Sequence, residues 1–455
     1  MNEAGLRAFG AVVTVAAYGA LCVATYARHR RLRLAAEERD AAALSGSPDA
    51  SAPVTLVLFA SQTGQAEMIA RQTARQLHAS GTPVRVLELN ALDVATLAAA
   101  RRALFVASTY GEGDAADGAS VFVEHVMNAA PDLSLLRYAV LALGDRQYTN
   151  FCAFGRALDE WLFAAGAQRD ADRIDVDNSD PAALATWHAQ WGSLGGAMAE
   201  TDDGFAPWRL VTRERLNPGS AGGPVFHLAL HPETGALPEW QSGDLVQIAV
   251  ASDPRRARDY SISSIHGDGE LQLLIRQERH PDGTLGAASG LLTSTLSIGD
   301  SIALRLRPHR AFRLDGNEER PLILIGNGTG LAGLRAHLRQ RAAVGRHDNW
   351  LVFGERQAAF DFLYREELED WLGTGMLQRL DMVFSRDRTE RRYVQHRLLQ
   401  AVVSLRAWLA NGAAVYVCGS LQGMATGVDA ALREIAGEAL WHDITASGRY
   451  RRDIY

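Results

Sequence analysis

Hydrophobic and polar positions along the chain fall into stretches with different periods. Residues 9–27 form an apolar run without a charge, followed at once by Arg28, His29, Arg30, Arg31 and Arg33. A run of that length matches a bilayer-spanning helix. Basic residues on its C-terminal side predict, by the positive-inside rule, that the bulk of the chain is cytoplasmic. A cleaved leader would carry its positive charge before the apolar run. The pattern therefore predicts a single-pass anchor at 1–34 in a bacterial inner membrane. A spacer follows at 35–53, containing Ala, Ser, Asp and Pro without an apolar period.

From residue 54 onward, short apolar runs rich in β-formers alternate with helical patterns. The runs are 54–61, 84–89, 103–108, 138–143 and 173–176, with helical periodicity at 67–79 and 120–130. Such alternation predicts a doubly wound α/β domain over 54–200. Its ligand would lie at the C-terminal ends of the strands. From about Phe205 the period changes. Runs at 225–230, 245–250, 259–264, 271–277 and 301–306 are separated by Gly, Pro and Asp, which predicts an antiparallel β-barrel over 205–315. Alternation returns from Pro321, predicting a second α/β domain over 316–455.

Composition narrows the classes. A net charge of -7 argues against a nucleic-acid binder. The three cysteines, Cys22, Cys152 and Cys418, lie far apart and make neither a disulfide framework nor a metal cluster.

Three loops at the predicted ligand edge of the first domain carry chemistry. Ser61-Gln62-Thr63-Gly64-Gln65-Ala66 opens a helix, where hydroxyls and backbone N–H groups can cradle a phosphate. Ser108-Thr109-Tyr110-Gly111 and Leu143-Gly144, with Tyr148, Asn150 and Phe151, each bring an aromatic side chain to that edge. Two tyrosines can cover both faces of a flat ring system. Each motif alone also suits a helix cap or ordinary loop packing. Together they resemble the flavodoxin-like domain of NADPH–hemoprotein reductases and of the sulfite reductase flavoprotein. The resemblance implies FMN held by residues 61–66, flanked by Tyr110 and Tyr148 and lined by Leu143, Gly144, Asn150 and Phe151. Glu112, Asp114 and Asp117 form an acidic rim, either a solvated loop or a docking surface for a basic partner.

In the barrel, Arg258-Asp259-Tyr260-Ser261 sits on a predicted strand, and Gly286-Ala287-Ala288-Ser289 enters a helix. Arginine can hold a pyrophosphate through paired bonds, and small residues at a helix start suit the same group. The pair resembles the ferredoxin–NADP reductase barrel, which implies FAD on these residues. Two departures stand out: the long helical connecting insert of the large reductases is missing, and no adenine-stacking aromatic lies near Arg276 and Gln277.

The last domain opens with Gly326-Asn327-Gly328-Thr329-Gly330 between a strand and a helix, a nucleotide phosphate loop by context. Ser385, Arg386 and Arg391, followed by Tyr393 and Gln395, offer cationic donors to a 2′-phosphate, which favours NADPH over NADH. By the family resemblance Cys418 lies beside the nicotinamide and the terminal Tyr455 covers the FAD ring. The resemblance also gives Ser261, Cys418, Asp453 and Tyr455 the catalytic roles. The chain is thus expected to pass electrons from NADPH to FAD to FMN, and on to a haem- or iron-containing acceptor, with a membrane-bound acceptor fitting the anchor. The alternative is a flavin-carrying subunit of a membrane complex, such as a ferric-siderophore reductase system, without free-standing turnover.

Overall fold

The computed structural model describes residues 54–110, 113–146, 148–178, 180–192, 204–250, 257–420 and 424–455. The expected inner-membrane placement needs correction. Among the described residues no helix is long and apolar enough to cross a membrane. The run 9–27 that prompted the expectation, with the rest of the anchor and spacer, lies outside them. The membrane-bound acceptor and the membrane-complex alternative lose their support with it.

The first domain is built on β1 (Thr55–Ala60), β2 (Val84–Glu88), β3 (Arg102–Tyr110), β4 (Asp114–Ala115), β5 (Arg137–Gly144), β6 (Gln168–Arg169) and β7 (Ile174–Asp177). The order is β2-β1-β3-β5-β6, with β4 on β3 and β7 on β5. The long strands run parallel. Helices cover both faces, so β1 is buried along its whole length. Helices Gln65–Ala79 and Pro181–Gly192 pack on one side around Trp187, and Ala153–Ala164 packs on the other. The helix expected at 120–130 is shorter and widens into a π-turn over Val123–Met127.

The barrel has one strand more than its apolar runs predicted. Its strands are β8 (Ala206–Arg215), β9 (Val225–Pro232), β10 (Leu245–Ile248), β11 (Arg258–Ser261), β12 (Leu271–Arg276) and β13 (Ser301–Arg307). They pair antiparallel in the order β11-β10-β13-β8-β9-β12, and an Ile262–Leu273 bridge closes the circle. Only Trp208 and Leu210 of β8 are buried, and four arginine and glutamate side chains interrupt its pattern, which hid it. Among the described residues no helix lies between 204 and 261, in keeping with a missing connecting insert.

The last domain is a parallel sheet of β14 (Leu322–Asn327), β15 (Asn349–Glu355), β16 (Arg379–Phe384), β17 (Ala414–Gly419) and β18 (Tyr450–Ile454), ordered β16-β15-β14-β17-β18. The C-terminal tail, read from sequence only as a motif, is its fifth strand. Register pairs Cys418 with Asp453, which sets the geometry of the site.

Candidate functional site

Three elements meet at the buried carboxylate of Asp453. Ser261, at the end of β11, donates its hydroxyl to Asp453 Oδ2 at 2.7 Å. Cys418, on β17, places its thiol 3.6 Å from the same oxygen. Burial, and then the Asp453 charge, pushes the Cys418 thiol well above its ordinary range. It is a neutral lining group and not a nucleophile. The chain end is held by Tyr455 N–H donating to Gly419 O at 3.1 Å, and Tyr455 Oη lies 2.9 Å from Thr329 Oγ1. Tyr455 is half exposed, so its ring can leave without disturbing the core.

A cleft of about 1160 Å³ passes this point. Arg258, Tyr260, Ser261 and Ser289 line it from the barrel. Asn327, Gly328 and Thr329 line it from the phosphate loop. Ser385, Arg386, Tyr393 and Gln395 line its far end. Gly330 lies so close to β17 that a Cβ there would sit 2.1 Å from the Cys418 carbonyl oxygen, so the loop needs glycine at this position. Most of the residues predicted for FAD and NADPH are therefore gathered on one surface. Gly286, Ala287 and Ala288 do not line the cleft; of that motif only Ser289 does. Arg392 takes the place at the cleft expected for Arg391, which is exposed outside it. An elongated cleft with arginines along it and a glycine loop at its middle fits a dinucleotide flavin and a dinucleotide donor.

The loops of the first domain form a second cavity, of about 200 Å³. Gln62, Thr63, Gln65, Ser108, Thr109, Tyr110, Leu143, Gly144, Tyr148, Asn150 and Phe151 line it. Ser61 caps the following helix by accepting from Ala66 N–H at 3.2 Å. Gly64 takes a left-handed conformation, φ 82. Gly111 and Glu112 lie outside the described residues. A loop of hydroxyls and N–H groups beside a slot walled by two tyrosines fits FMN. Tyr110 also packs against the core of the last domain, under the Arg452 guanidinium at 5.5 Å from its ring centre. Burial pushes its hydroxyl above the usual tyrosine range.

The two cavities share Thr63, Asp145, Tyr148, Asp259, Ile454 and Tyr455. Among the described residues, the first domain packs directly against the barrel and the last domain beside this cleft. Part of the acidic rim is engaged within the chain: Asp117 pairs with Arg452 and exchanges two bonds of 3.0 Å with the Gln62 side chain. Sequence reasoning missed Arg276, Glu355, Arg307 and His309. Arg276 and Glu355 form a 2.8 Å ion pair on the cleft wall. Nothing local marks any of the four, because their partners are distant in sequence.

A flavodoxin-type sheet packed against a barrel and a nucleotide domain resembles the architecture of a diflavin reductase. Residues 57–191 match the family model for flavodoxin, and 324–430 match that for the oxidoreductase NAD-binding domain. The chain thus carries a flavodoxin-type domain and an oxidoreductase NAD-binding domain, and it resembles the diflavin reductases. It is similar to the sulfite reductase [NADPH] flavoprotein alpha-component of Bacillus subtilis, 28% identical over 90% of this chain and 90% of that protein. The Vibrio cholerae protein of the same name is 29% identical, over 88% of this chain and 87% of its own length. That of Neisseria meningitidis is 27% identical, over 88% and 89%. The alignment with the Bacillus protein runs over 546 positions, more than this chain possesses, so that relative carries a long stretch without counterpart here.

Proposed function

We propose that this chain moves electrons from NADPH, through FAD in the barrel cleft and FMN in the first domain, to a haem- or iron-containing acceptor. Kinship with sulfite reductase flavoproteins favours a sulfite reductase haemoprotein as that acceptor. FAD, when bound, would supply two-electron acceptance of one hydride and one-electron release of its two electrons, and FMN a one-electron relay. The chain's own residues supply position and electrostatics. Ser261, Cys418 and Asp453 orient the nicotinamide and stabilise charge developing as hydride leaves. Thr329 holds Tyr455 across the cleft until the nicotinamide displaces it. Ser385, Arg386 and Arg392 take the 2′-phosphate. The phosphate loop 61–66 and Tyr110 and Tyr148 hold FMN. The domain limits 54–200, 205–315 and 316–455 are part of the proposal.

The carrying observation is that the two cavities are contiguous. The test is Tyr148→Ala in the full chain. FMN content falls at least tenfold and NADPH-driven cytochrome c reduction falls with it, whereas NADPH-driven ferricyanide reduction persists through FAD. Retention of FMN with unchanged cytochrome c turnover would overturn the assignment.

A further inference from the structure

The barrel strand β13 and the turn after it run along the phosphate loop of the first domain, contact by contact. Arg307 Nη2 donates to Thr63 Oγ1 at 2.7 Å. The Pro308 carbonyl oxygen lies 2.8 Å from where a Cβ on Gly64 would stand. His309 Nε2 is 2.9 Å from the Gln62 carbonyl oxygen. A carbonyl only accepts, so Nε2 carries the hydrogen and donates.

His309 is the member of this strap that reaches further. Its side chain is completely buried. Its other ring nitrogen, Nδ1, is buried without a hydrogen-bond partner and faces Asp453 Oδ1 at 4.0 Å. The ring stacks on Phe312, with centroids 5.9 Å apart and planes at 22°. The backbone behind it is fixed by His309 N–H donating to Asp244 Oδ1 at 2.9 Å. Arg313 clamps the same carboxylate through bonds of 2.6 and 2.8 Å. One rigid imidazole thus stands between a backbone carbonyl of the phosphate loop and the carboxylate of the hydride site.

We propose that His309 is a positioning residue: it registers the phosphate loop of the first domain against the barrel beside Asp453, so that docking of that domain depends on one side chain. The inference rests on the reading above, in which 61–66 holds the FMN phosphate and Asp453 serves hydride transfer. A carbonyl is the right handle for such a registration. It lies on the loop that fixes FMN, and no side-chain rotation can remove it. The same bond to that carbonyl fixes the ring's orientation, because turning the ring over would set a carbon, Cε1, against the Gln62 carbonyl in place of Nε2.

The test compares His309→Met with His309→Gln in the full chain. The two side chains have similar length, and only glutamine can donate to the Gln62 carbonyl. Hydrogen exchange is read on amides 62–68, with strand 322–327 as the internal control for folding. His309→Met speeds exchange at 62–68 about tenfold, the loss of one buried hydrogen bond, and leaves 322–327 protected. His309→Gln stays within about twofold of the parent at both segments. Turnover follows the same split: cytochrome c reduction falls in the Met variant and is restored in the Gln variant, with ferricyanide reduction level in both. Parental protection of 62–68 in a folded Met variant would overturn the proposal. Where the Met variant also loses 322–327, the Gln variant decides, and selective loss at 62–68 there overturns it. Flavin content of the parent chain is measured separately. A chain without FMN refutes the functional reading, while the exchange contrast still judges His309.

Discussion

The barrel meets its two neighbours through interfaces of opposite construction. Towards the last domain, apolar side chains from both sides form one core, with Val225 and Leu274 beside Leu324, Leu334 and Phe353. Buried polar groups cross-brace it. Arg335 donates to Ser263 O and Gln272 Oε1 at 2.7 Å each, and to both Glu367 oxygens at 2.6 and 3.0 Å. Arg339 grips Asp268 at 2.9 and 2.8 Å, and Asn217 reaches Asp361 at 3.2 Å. Towards the first domain the barrel's link is polar: Arg307 to Thr63, His309 to the Gln62 carbonyl and Arg310 to Glu67 at 3.7 Å, to which the last domain adds Arg452 to Asp117. Among the described residues Tyr110 adds apolar contact, against the core of the last domain. A shared core binds two domains into one body. A polar seam allows docking and release, because its groups regain water when it opens. Hydride transfer needs fixed geometry, and the site proposed for it sits in the first kind of interface. Handing electrons to an outside partner needs an accessible FMN site and uses the second.

The largest effect is expected where the rigid interface is broken. Arg335 is 5% exposed, and its removal leaves Ser263 O and Gln272 Oε1 without this donor and Glu367 held by Arg339 alone. Arg335→Ala should cost about 3–5 kcal/mol, read as a lowered urea midpoint of the barrel and last domain. The first domain should melt at its parental temperature. A loss under about 1 kcal/mol would show that the shared core, and not the arginine brace, makes the two domains one body.

A smaller effect belongs to the polar seam. Arg452 bridges Asp117 and Asp429, and Asp117 is 37% exposed at the side chain. Arg452→Ala should raise the undocked fraction roughly fivefold, seen as a larger radius in X-ray scattering without loss of flavins. High salt should do the same to the parent chain, since a partly exposed pair is screened, and should add little in the variant. A salt-insensitive radius in the parent would mean that the seam is held by Tyr110 packing instead.

What the sequence announced, and what it withheld, follows the same division. The two parallel sheets were legible because buried strands read as unbroken apolar runs. The phosphate loops were legible because glycines and hydroxyls sit together at a strand-to-helix turn. β8 escaped because half its residues face water. β18 escaped because the tail is rich in arginine, and its strand character comes from pairing with β17. The choice of Arg392 over Arg391 depends on which side of a turn faces the cleft, which spacing alone does not fix. The inner-membrane placement came from a segment outside the described structure. Docking between domains was wholly invisible: Arg307, His309 and Arg452 find partners hundreds of positions away, and no local pattern marks them.

A further effect probes the rigid interface through pH. His337, on helix Leu331–Ala343, is wholly buried, and its Nδ1 lies 3.0 Å from Ser242 Oγ of the barrel. Burial, then the charge of Arg451, pulls its pKa from an ordinary 6.5 down to about 3. The folded chain therefore holds this ring neutral, whereas the unfolded chain protonates it below about 6.5. The stability it supports is fully present above that pH and drains away as pH falls towards the folded value. Glutamine can keep a bond to Ser242 but does not titrate. The stability difference between pH 7 and pH 4.5 should therefore shrink in His337→Gln, by something on the order of 2 kcal/mol. The shrinkage should appear in the unfolding of the barrel and last domain, and not in the docking of the first. An unchanged pH dependence would mean that the buried imidazole does not carry the acid sensitivity of this interface.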